Sequence, residues 1–438
     1  MLLNAADKAL WRLALPMIFS NITVPLLGLV DTAVIGHLDS PVYLGGVAVG
    51  ATATSFLFML LLFLRMSTTG LTAQAWGAKD PQRLARALVQ PLALALGAGV
   101  LIILLRLPLI DLALHIVGGS EAVLEQARRF LEIRWLSAPA SLANLVLLGW
   151  LLGVQYARAP VILLVVGNLL NIVLDLWLVM GLRMNVQGAA LATVTAEYAT
   201  LIIGLLMAKR VLTLRGVSLA MLKNAWRGDL RRLLALNRDI MLRSLLLQLC
   251  FGALTVFGAR LGSDIVAVNA VLMTMLTFTA YALDGFAYAV EAHSGQAYGA
   301  RDGSQLLEVW RAACRQSGMV ALAFALIYSL AGQYIIALLT SLPSLQQLAD
   351  RYLIWQTILP VVGVWCYLLD GMFIGATRGA EMRNSMAVAA AGFAVTLLTL
   401  PVLGNHGLWL ALAVFLALRG LSLALIWHRH WRRGTWFS

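Results

Sequence analysis

The chain has 438 residues, of which 61% are hydrophobic and only 12% are charged. A soluble globular domain carries roughly 25% charged residues, so the composition excludes an ordinary soluble protein and indicates an integral membrane protein. A net charge of +12 would suit a nucleic-acid-binding protein. However, Lys and Arg recur in alternate connections between apolar segments, which is the pattern of membrane topology, so we predict no nucleic-acid partner.

The first apolar segment, residues 13–36, is long enough to cross a bilayer, since about 20 mostly apolar residues suffice. It contains Asp31, whose carboxylate is costly in hydrocarbon and is therefore a candidate ion or proton site. Pro25 has no N–H for the carbonyl of Asn21, so we expect it to bend this helix. The alternative is that Asp31 lies at a helix end, near water.

Apolar segments then recur to the C-terminus as continuous runs, which favour helices over the alternating strands of a barrel. We predict an all-α integral membrane protein with about twelve transmembrane helices in two pseudo-symmetric six-helix bundles. The N-terminal lobe is residues 1–208, a basic cytoplasmic linker is 209–238, and the C-terminal lobe is 239–438. The predicted helices lie near residues 13–36, 46–73, 88–106, 130–154, 161–181, 187–208, 240–262, 266–293, 316–340, 352–376, 385–403 and 407–427.

The basic residues indicate the orientation in the membrane. Most fall on one side, which predicts that both termini are cytoplasmic in a multi-pass membrane protein. Arg128, Arg129 and Arg134 fall on the other side, beside Glu125 and Glu132. The residues that follow the rule are Lys8, Arg12, Lys79, Arg83, Arg86, Arg158, the linker and the C-terminal tail.

The two halves are related in sequence by a constant shift. GLTAQAWGAKD at 70–80 matches AHSGQAYGARD at 292–302, and Gln74 aligns with Gln296, a shift of 222 residues. The same shift relates two Gly-x-x-x-Gly motifs, at 149–153 and 371–375, which predict close helix packing. Because each half has an even number of predicted helices, the halves are parallel repeats, an architecture that suits alternating access.

The repeat separates packing residues from residues confined to one lobe, because a packing residue should recur after the shift. Four polar residues of the first half do not recur, which favours a functional role for them. Asp31, Asn168, Asn171 and Asp175 correspond to Ala253, Ala390, Phe393 and Leu397.

Three of these residues lie on one face of the fifth predicted helix: Asn168, Asn171 and Asp175. With Asp31 they predict a pocket that binds H⁺ or, alternatively, Na⁺ among the oxygens of Asp31 and Asp175. Thr193, in the sixth predicted helix, would add a hydroxyl. The alternative is that the two Asn form interhelical hydrogen bonds and Asp175 lies at the far interface.

Four further charged residues are candidates for a substrate cavity. Asp284 and Glu291 share a face of the eighth predicted helix, although Glu291 would also suit the membrane interface. Asp370 lies in the tenth predicted helix and Arg65 in the second. Arg419 is also deep in a predicted helix, where it would pair with an acid or extend to the interface.

The sequence lacks the motifs of an enzyme. We find no Gly-x-Ser-x-Gly, no Walker A motif and no metal-binding His/Glu pair at helical spacing, so we predict no catalytic residues, metal or cofactor. The cysteines, Cys250, Cys314 and Cys366, have no CxxC spacing and are predicted to be buried and apolar.

Three motifs carry a family resemblance: PLLGLVDTAVIGHL at 25–38, Gln-Ala-x-Gly-Ala-x-Asp at 74–80 and 296–302, and GATRG at 375–379. With them the chain resembles the multidrug and toxic compound extrusion (MATE) family, and more closely its DinF branch. The resemblance implies two six-helix lobes around a cavity, from which lipophilic, often cationic compounds leave in exchange for entering H⁺ or Na⁺. It implies no cofactor, and we expect a monomer.

The resemblance also implies roles for individual residues. In the DinF branch an Asp of the first helix is the protonation site, and Asp31 matches it. Asn171 and Asp175 match an Asn/Asp pair of the fifth helix, and Thr193 resembles a Thr of the sixth. The seventh-helix Glu of the other large branch has no match, and Asp370 differs from its tenth-helix Asp in spacing to Arg378. These departures favour coupling through the first lobe.

We therefore expect a secondary active multidrug exporter that works by cation-coupled antiport, with H⁺ as the first choice of ion and Na⁺ as the alternative. Protonation of Asp31 would reshape the first helix at Pro25 and release substrate outward. A flippase for lipid-linked precursors in the same superfamily is the closest alternative. It would need a cationic cavity, with Arg65 and Arg419 facing inward. An intramembrane enzyme is the alternative of a different class.

Overall fold

The computed structural model describes residues 5–36, 38, 40–228 and 230–438, with residues 23–33 described as helical backbone only. Its described part is built from helices and contains no strand. We number the twelve long helices α1 (Ala5–Gly36), α2 (Pro41–Gly77), α3 (Pro81–Leu104), α4 (Glu121–Gly153), α5 (Arg158–Gly181), α6 (Asn185–Leu214), α7 (Leu230–Arg260), α8 (Ser263–Gly299), α9 (Gly303–Leu339), α10 (Pro343–Gly375), α11 (Gly379–Leu403) and α12 (Asn405–Arg433).

Helices α2 to α12 are each long and apolar enough to cross a membrane, and α1 includes the apolar run at residues 13–36. The predicted all-α membrane fold with about twelve spanning helices is therefore confirmed. Two short helices lie between long ones: Arg106–Val117 follows α3, and Leu219–Asn224 lies in the basic segment between α6 and α7.

The helix boundaries follow the same shift of 222 residues as the sequence repeat. Six boundaries of the first half have their counterparts in the second at this shift, so no insertion separates the halves over residues 41–181 and 263–403. The related pairs are Pro41 and Ser263, Gly77 and Gly299, Pro81 and Gly303, Glu121 and Pro343, Gly153 and Gly375, and Gly181 and Leu403.

The repeated Gln-Ala-x-Gly-Ala-x-Asp motif is a helix-to-helix turn. Lys79 and Arg301 adopt φ of 54° and 53°, the left-handed conformation that commonly ends a helix. The next residue, Asp80 or Asp302, starts the following helix, where its side chain accepts backbone N–H groups of the first turn. The motif therefore has a structural role in both halves.

The two Gly-x-x-x-Gly motifs are sites of close helix packing in both halves. A Cβ on Gly149 would lie 2.5 Å from the backbone oxygen of Arg65, and one on Gly371 would lie 2.7 Å from that of Ala287. Arg65 and Ala287 are themselves related by the shift. Because only glycine permits this approach, α2 packs on α4 as α8 packs on α10.

Two prolines explain irregular turns in α4 and α11. Pro139 cannot donate to the carbonyl of Trp135, which instead accepts the N–H of Ala138 in a 3₁₀ turn. Pro401 likewise cannot donate to the carbonyl of Leu397, which accepts the N–H of Leu400 instead.

The chain divides into two compact units. One contains Phe19–Leu234, and the other contains Ala235–Ser438 with the described part of Met1–Ile18. The predicted lobe boundaries at 208/209 and 238/239 stay a prediction. The candidate site described next lies within the unit of Phe19–Leu234.

Candidate functional site

A cavity of about 300 Å³ lies among α4, α5 and α6. Gly167 of α5 allows these helices to approach, since a Cβ there would lie 2.7 Å from Thr200 Oγ1 of α6. Its walls combine leucines with side chains that can donate or accept hydrogen bonds, as small-molecule sites do. The lining residues are Phe58, Arg134, Ser141, Asn144, Leu145, Leu148, Leu163, Leu164, Gly167, Asn168, Asn171, Thr193, Ala196, Glu197 and Thr200.

Helix α5 presents its polar residues to the protein interior. Asn168 and Asn171 line the cavity, and Asp175 is buried one turn further along. Leu169 and Val173, at 58% and 61% exposure, form a different, outward face. The α-helical part of α5 ends at Asp175 and continues as a π turn, Leu176–Gly181, a rare element that often marks functional sites.

Asn171 and Thr193 connect α5 to α6. Asn171 Nδ2 donates to Thr193 Oγ1 at 3.3 Å, and this hydroxyl donates to the carbonyl of Ala189 at 3.2 Å. Asn171 Oδ1 is buried and accepts no hydrogen bond from any described residue. The buried amide therefore retains an acceptor for a ligand, a proton carrier or water.

A carboxylate that the sequence analysis missed also lies on this cavity. Glu197 of α6 is half-buried, and Asn144 Nδ2 of α4 donates both to Glu197 Oε2 at 3.0 Å and to its backbone oxygen at 3.1 Å. Across the described ranges no Lys or Arg lies within ion-pair distance of Glu197. Comparison with the repeat would have identified it, because Glu197 corresponds to Arg419.

In the other unit, the positions related to these cavity residues by the shift of 222 are either apolar or occupied by residues of an ion pair. Phe393 and Phe415 replace Asn171 and Thr193, and their rings lie 6.1 Å apart, so the same two positions are in contact in both units. The backbone repeat is thus conserved while its chemistry differs. Polar groups line the cavity among α4, α5 and α6, whereas aromatic packing fills the corresponding place in the other unit.

Asp370 forms a buried ionic cluster with two arginines. Arg243 Nη2 of α7 lies 2.6 Å from Asp370 Oδ2, and Arg419 Nη2 of α12 contacts the same oxygen. All three side chains are at most 10% exposed. This arrangement holds the α10 carboxylate in a fixed place, as a structural ion pair does.

The other predicted cavity residues are dispersed, and none of them lines the cavity described above. Glu291 of α8 is 2% exposed and Asp284 of the same helix is half-buried. Arg65 of α2 is buried and its Nη1 donates to Thr69 Oγ1 at 3.3 Å. The side chains of Asp31 and Pro25 lie outside the described residues, as does any contact they make.

The sequence matches the MatE family profile over residues 16–177 and 240–403, which is one match in each half. The chain belongs to the MatE family. It is 87% identical to DNA damage-inducible protein F of Escherichia coli strain K12, over 436 residues that cover 100% of this chain and 95% of that protein. The predicted membership of the MATE family, DinF branch, is therefore confirmed, and the family is one of membrane transporters rather than enzymes.

More distant MATE proteins agree in extent and fold. A probable multidrug resistance protein NorM of Acinetobacter baylyi is 23% identical, over 96% of this chain and 94% of its own length. A solved structure described as the outward-facing conformation of a multidrug resistance MATE family transporter superposes with a TM-score of 0.84 at 23% identity. It covers 99% of this chain and 97% of that one. At this identity the likeness establishes the fold.

Proposed function

We propose that this MATE transporter exports lipophilic, often cationic small molecules in exchange for an entering cation. The observation that carries the proposal is the cavity among α4, α5 and α6, which combines leucine walls with the Glu197 carboxylate. Such a site suits an apolar cation, because the walls bury the apolar body while the carboxylate compensates the charge. The names of the NorM relative and of the solved MATE structure are consistent with multidrug substrates.

We propose H⁺ as the coupling ion and Asp31 as its carrier, with Asn168, Asn171, Asp175 and Thr193 as supporting groups; Na⁺ at Asp31 and Asp175 is the alternative. Support comes from the absence of these polar groups at the equivalent positions of the second half. Further support comes from the free acceptor of Asn171 within the described residues. Protonation of Asp31 would compete with substrate binding, and Pro25 would let α1 change shape.

We propose further that the protein is a monomer in the bacterial inner membrane and that both termini are cytoplasmic, because the basic connections fall mostly on one side. The flippase alternative would require Arg65 and Arg419 to face the substrate cavity. Neither lines the cavity among α4, α5 and α6, where Arg134 is the lining arginine, and Arg419 pairs with Asp370. Asp284, Glu291, Asp370 and Arg65 remain secondary candidates for substrate contact.

Efflux of a cationic dye from proteoliposomes tests this function, with a pH gradient and a Na⁺ gradient imposed separately. We expect efflux that follows the pH gradient in the wild type and is lost in Asp31→Asn. Efflux that follows only the Na⁺ gradient would identify Na⁺ as the coupling ion and would still support the export function. Unchanged efflux in Asp31→Asn would contradict the role of Asp31, and no efflux under either gradient would contradict export of the dye.

A further inference from the structure

A second cavity, of about 260 Å³, has a basic lining and lies apart from the cavity just described. It is formed by the first turns of α3, by the start of α7 and by Leu71 of α2. The charged lining residues are all arginines: Arg83, Arg86 and Arg232. Its other lining residues are Leu71, Ala87, Gln90, Pro91 and Leu233.

Among the described residues, the guanidinium groups of Arg83 and Arg86 have little counter-charge. The charge of Arg83 interacts with those of both Arg232 and Arg86, and Asp80 is the acid that acts on it. Asp80 is already engaged, since its Oδ1 accepts the backbone N–H groups of Gln82 and Arg83 at the start of α3. Within the described ranges, neither Arg83 nor Arg86 has a carboxylate within ion-pair distance. Like charges held together in this way repel one another, and a bound anion would relieve that repulsion.

The segment before α7 closes one side of the cavity and holds Arg86 in place. Arg86 packs directly on Gly228, where a Cβ would lie 2.5 Å from Arg86 Cζ, and Arg86 Nε is buried without an acceptor among the described residues. Gln90 Nε2 donates to the carbonyl of Trp226 at 3.4 Å. Asp229 follows in the sequence and lies outside the described residues. With Asp80 and Asp229 both counted, the three arginines still leave a net positive charge.

The repeat indicates that this basic cluster is not required by the fold. The positions of the second half that correspond to Arg83 and Arg86 are Gln305 and Glu308, and Arg232 corresponds to Leu10 of the first helix. The turn that begins α3 is nevertheless the same as the turn that begins α9. The two halves therefore share this backbone, but only the first half has three arginines at this cavity.

We propose that this cavity binds a phosphate-bearing anion. Planar guanidinium groups bind phosphate oxygens through paired, charge-assisted hydrogen bonds, and Arg83, Arg86 and Arg232 converge on a space of suitable size. The anion is either the headgroup of an anionic phospholipid or a soluble phosphate. Basic pockets at the ends of membrane helices are places where lipid headgroups bind. This site is independent of the export function proposed above.

The purified full-length protein, delipidated in a neutral detergent, allows a direct test. Inorganic phosphate is titrated by calorimetry, and phosphatidylglycerol and phosphatidylcholine of the same chain length are compared by native mass spectrometry. The variant Arg83→Gln/Arg86→Gln removes two guanidinium groups. Arg227→Gln removes an exposed arginine of the same segment that does not line the cavity, and is the matched control.

We expect the double variant to bind the anion at least about tenfold more weakly than the wild type, while Arg227→Gln binds like the wild type. Binding of phosphate alone would identify a soluble source, and binding of phosphatidylglycerol in preference to phosphatidylcholine would identify a lipid. Equal binding by the double variant, equal binding of the two lipids without phosphate binding, or no binding by the wild type would overturn the proposal.

A second measurement uses the wild type and does not depend on how the variant folds. Phenylglyoxal modifies accessible arginines, and mass spectrometry of the digested protein reports each site. We expect bound phosphate or phosphatidylglycerol to reduce the phenylglyoxal modification of Arg83 and Arg86 at least about tenfold. The modification of Arg227 should stay the same. Equal reactivity of Arg83 and Arg86 with and without the anion would contradict the site.

Discussion

At the scale of single residues, the proposed binding of cationic substrates depends most directly on Glu197. We expect Glu197→Gln to raise the KM for a monovalent cationic dye about tenfold, because the cavity loses its charge-assisted contact. A neutral substrate should be transported almost unchanged. Proteoliposome efflux over a range of substrate concentrations gives the KM for the cationic dye and for the neutral substrate.

The matched control for this prediction is Glu125→Gln, which removes an exposed carboxylate paired with Arg129 outside the cavity. It should transport both substrates like the wild type. An equal loss for cationic and neutral substrates in Glu197→Gln would contradict recognition of charge and would indicate a structural role for Glu197.

Asp370 is expected to act in stability rather than in coupling. Asp370→Asn leaves the buried guanidinium groups of Arg243 and Arg419 without their carboxylate, which typically costs about 3–5 kcal/mol. Thermal unfolding in detergent measures the effect. Asp111→Asn breaks an exposed pair with Arg128 and should cost less than about 1 kcal/mol. A stable Asp370→Asn protein that has lost efflux would instead assign Asp370 to transport.

Sequence reasoning reached part of the site at this scale. Helical spacing was sufficient to place Asn168, Asn171 and Asp175 on one face of α5, because the directions of these side chains depend on that helix alone. The pairing of Asp370 with Arg243 and Arg419 was not predictable, because those residues are 127 and 49 positions away and meet only after three helices pack. A lone Glu in an apolar run has no spacing signal, so Glu197 needed either the structure or the repeat.

At the scale of helices, the paired glycines are expected to govern stability in both halves. Gly149→Ala and Gly371→Ala each place a Cβ within 2.7 Å of a backbone oxygen, so we expect each to destabilise the protein by about 1–3 kcal/mol. Melting temperature and yield in detergent provide the measurement.

Gly97 of α3 is the control for the paired glycines, because a Cβ there meets no atom within 4 Å. Gly97→Ala should leave stability unchanged or raise it by roughly 0.5–1 kcal/mol, since alanine is the better helix former. If all three variants lose the same stability, close packing at Gly149 and Gly371 is not the cause.

The helices themselves were largely predictable from the sequence, because the apolar runs and the constant shift fixed their number and order. The ends were less so. Predicted segments such as 46–73 stop short of α2, Pro41–Gly77, since caps and polar turns extend helices beyond their apolar core. The short helix Arg106–Val117 was missed, because Arg106 and Asp111 interrupt its apolar residues and are typical of a connection.

At the scale of the whole molecule, the two halves share one backbone plan and differ in chemistry. The unit of Phe19–Leu234 carries an open polar cavity and a basic cavity. In the other unit, the positions equivalent to the polar cavity are filled by Phe393, Phe415 and the Asp370 ion pair. We therefore propose that substrate binding and ion coupling belong to the unit that ends at Leu234.

Competition between substrate and proton is the central claim of this assignment, and proton release on substrate binding tests it most directly. A lipophilic cation is added to the purified protein in weak buffer near neutral pH, and released protons and bound substrate are measured together. We predict proton release that accompanies binding in the wild type and is absent in Asp31→Asn. Saturable substrate binding by the wild type without proton release at any pH would contradict the account.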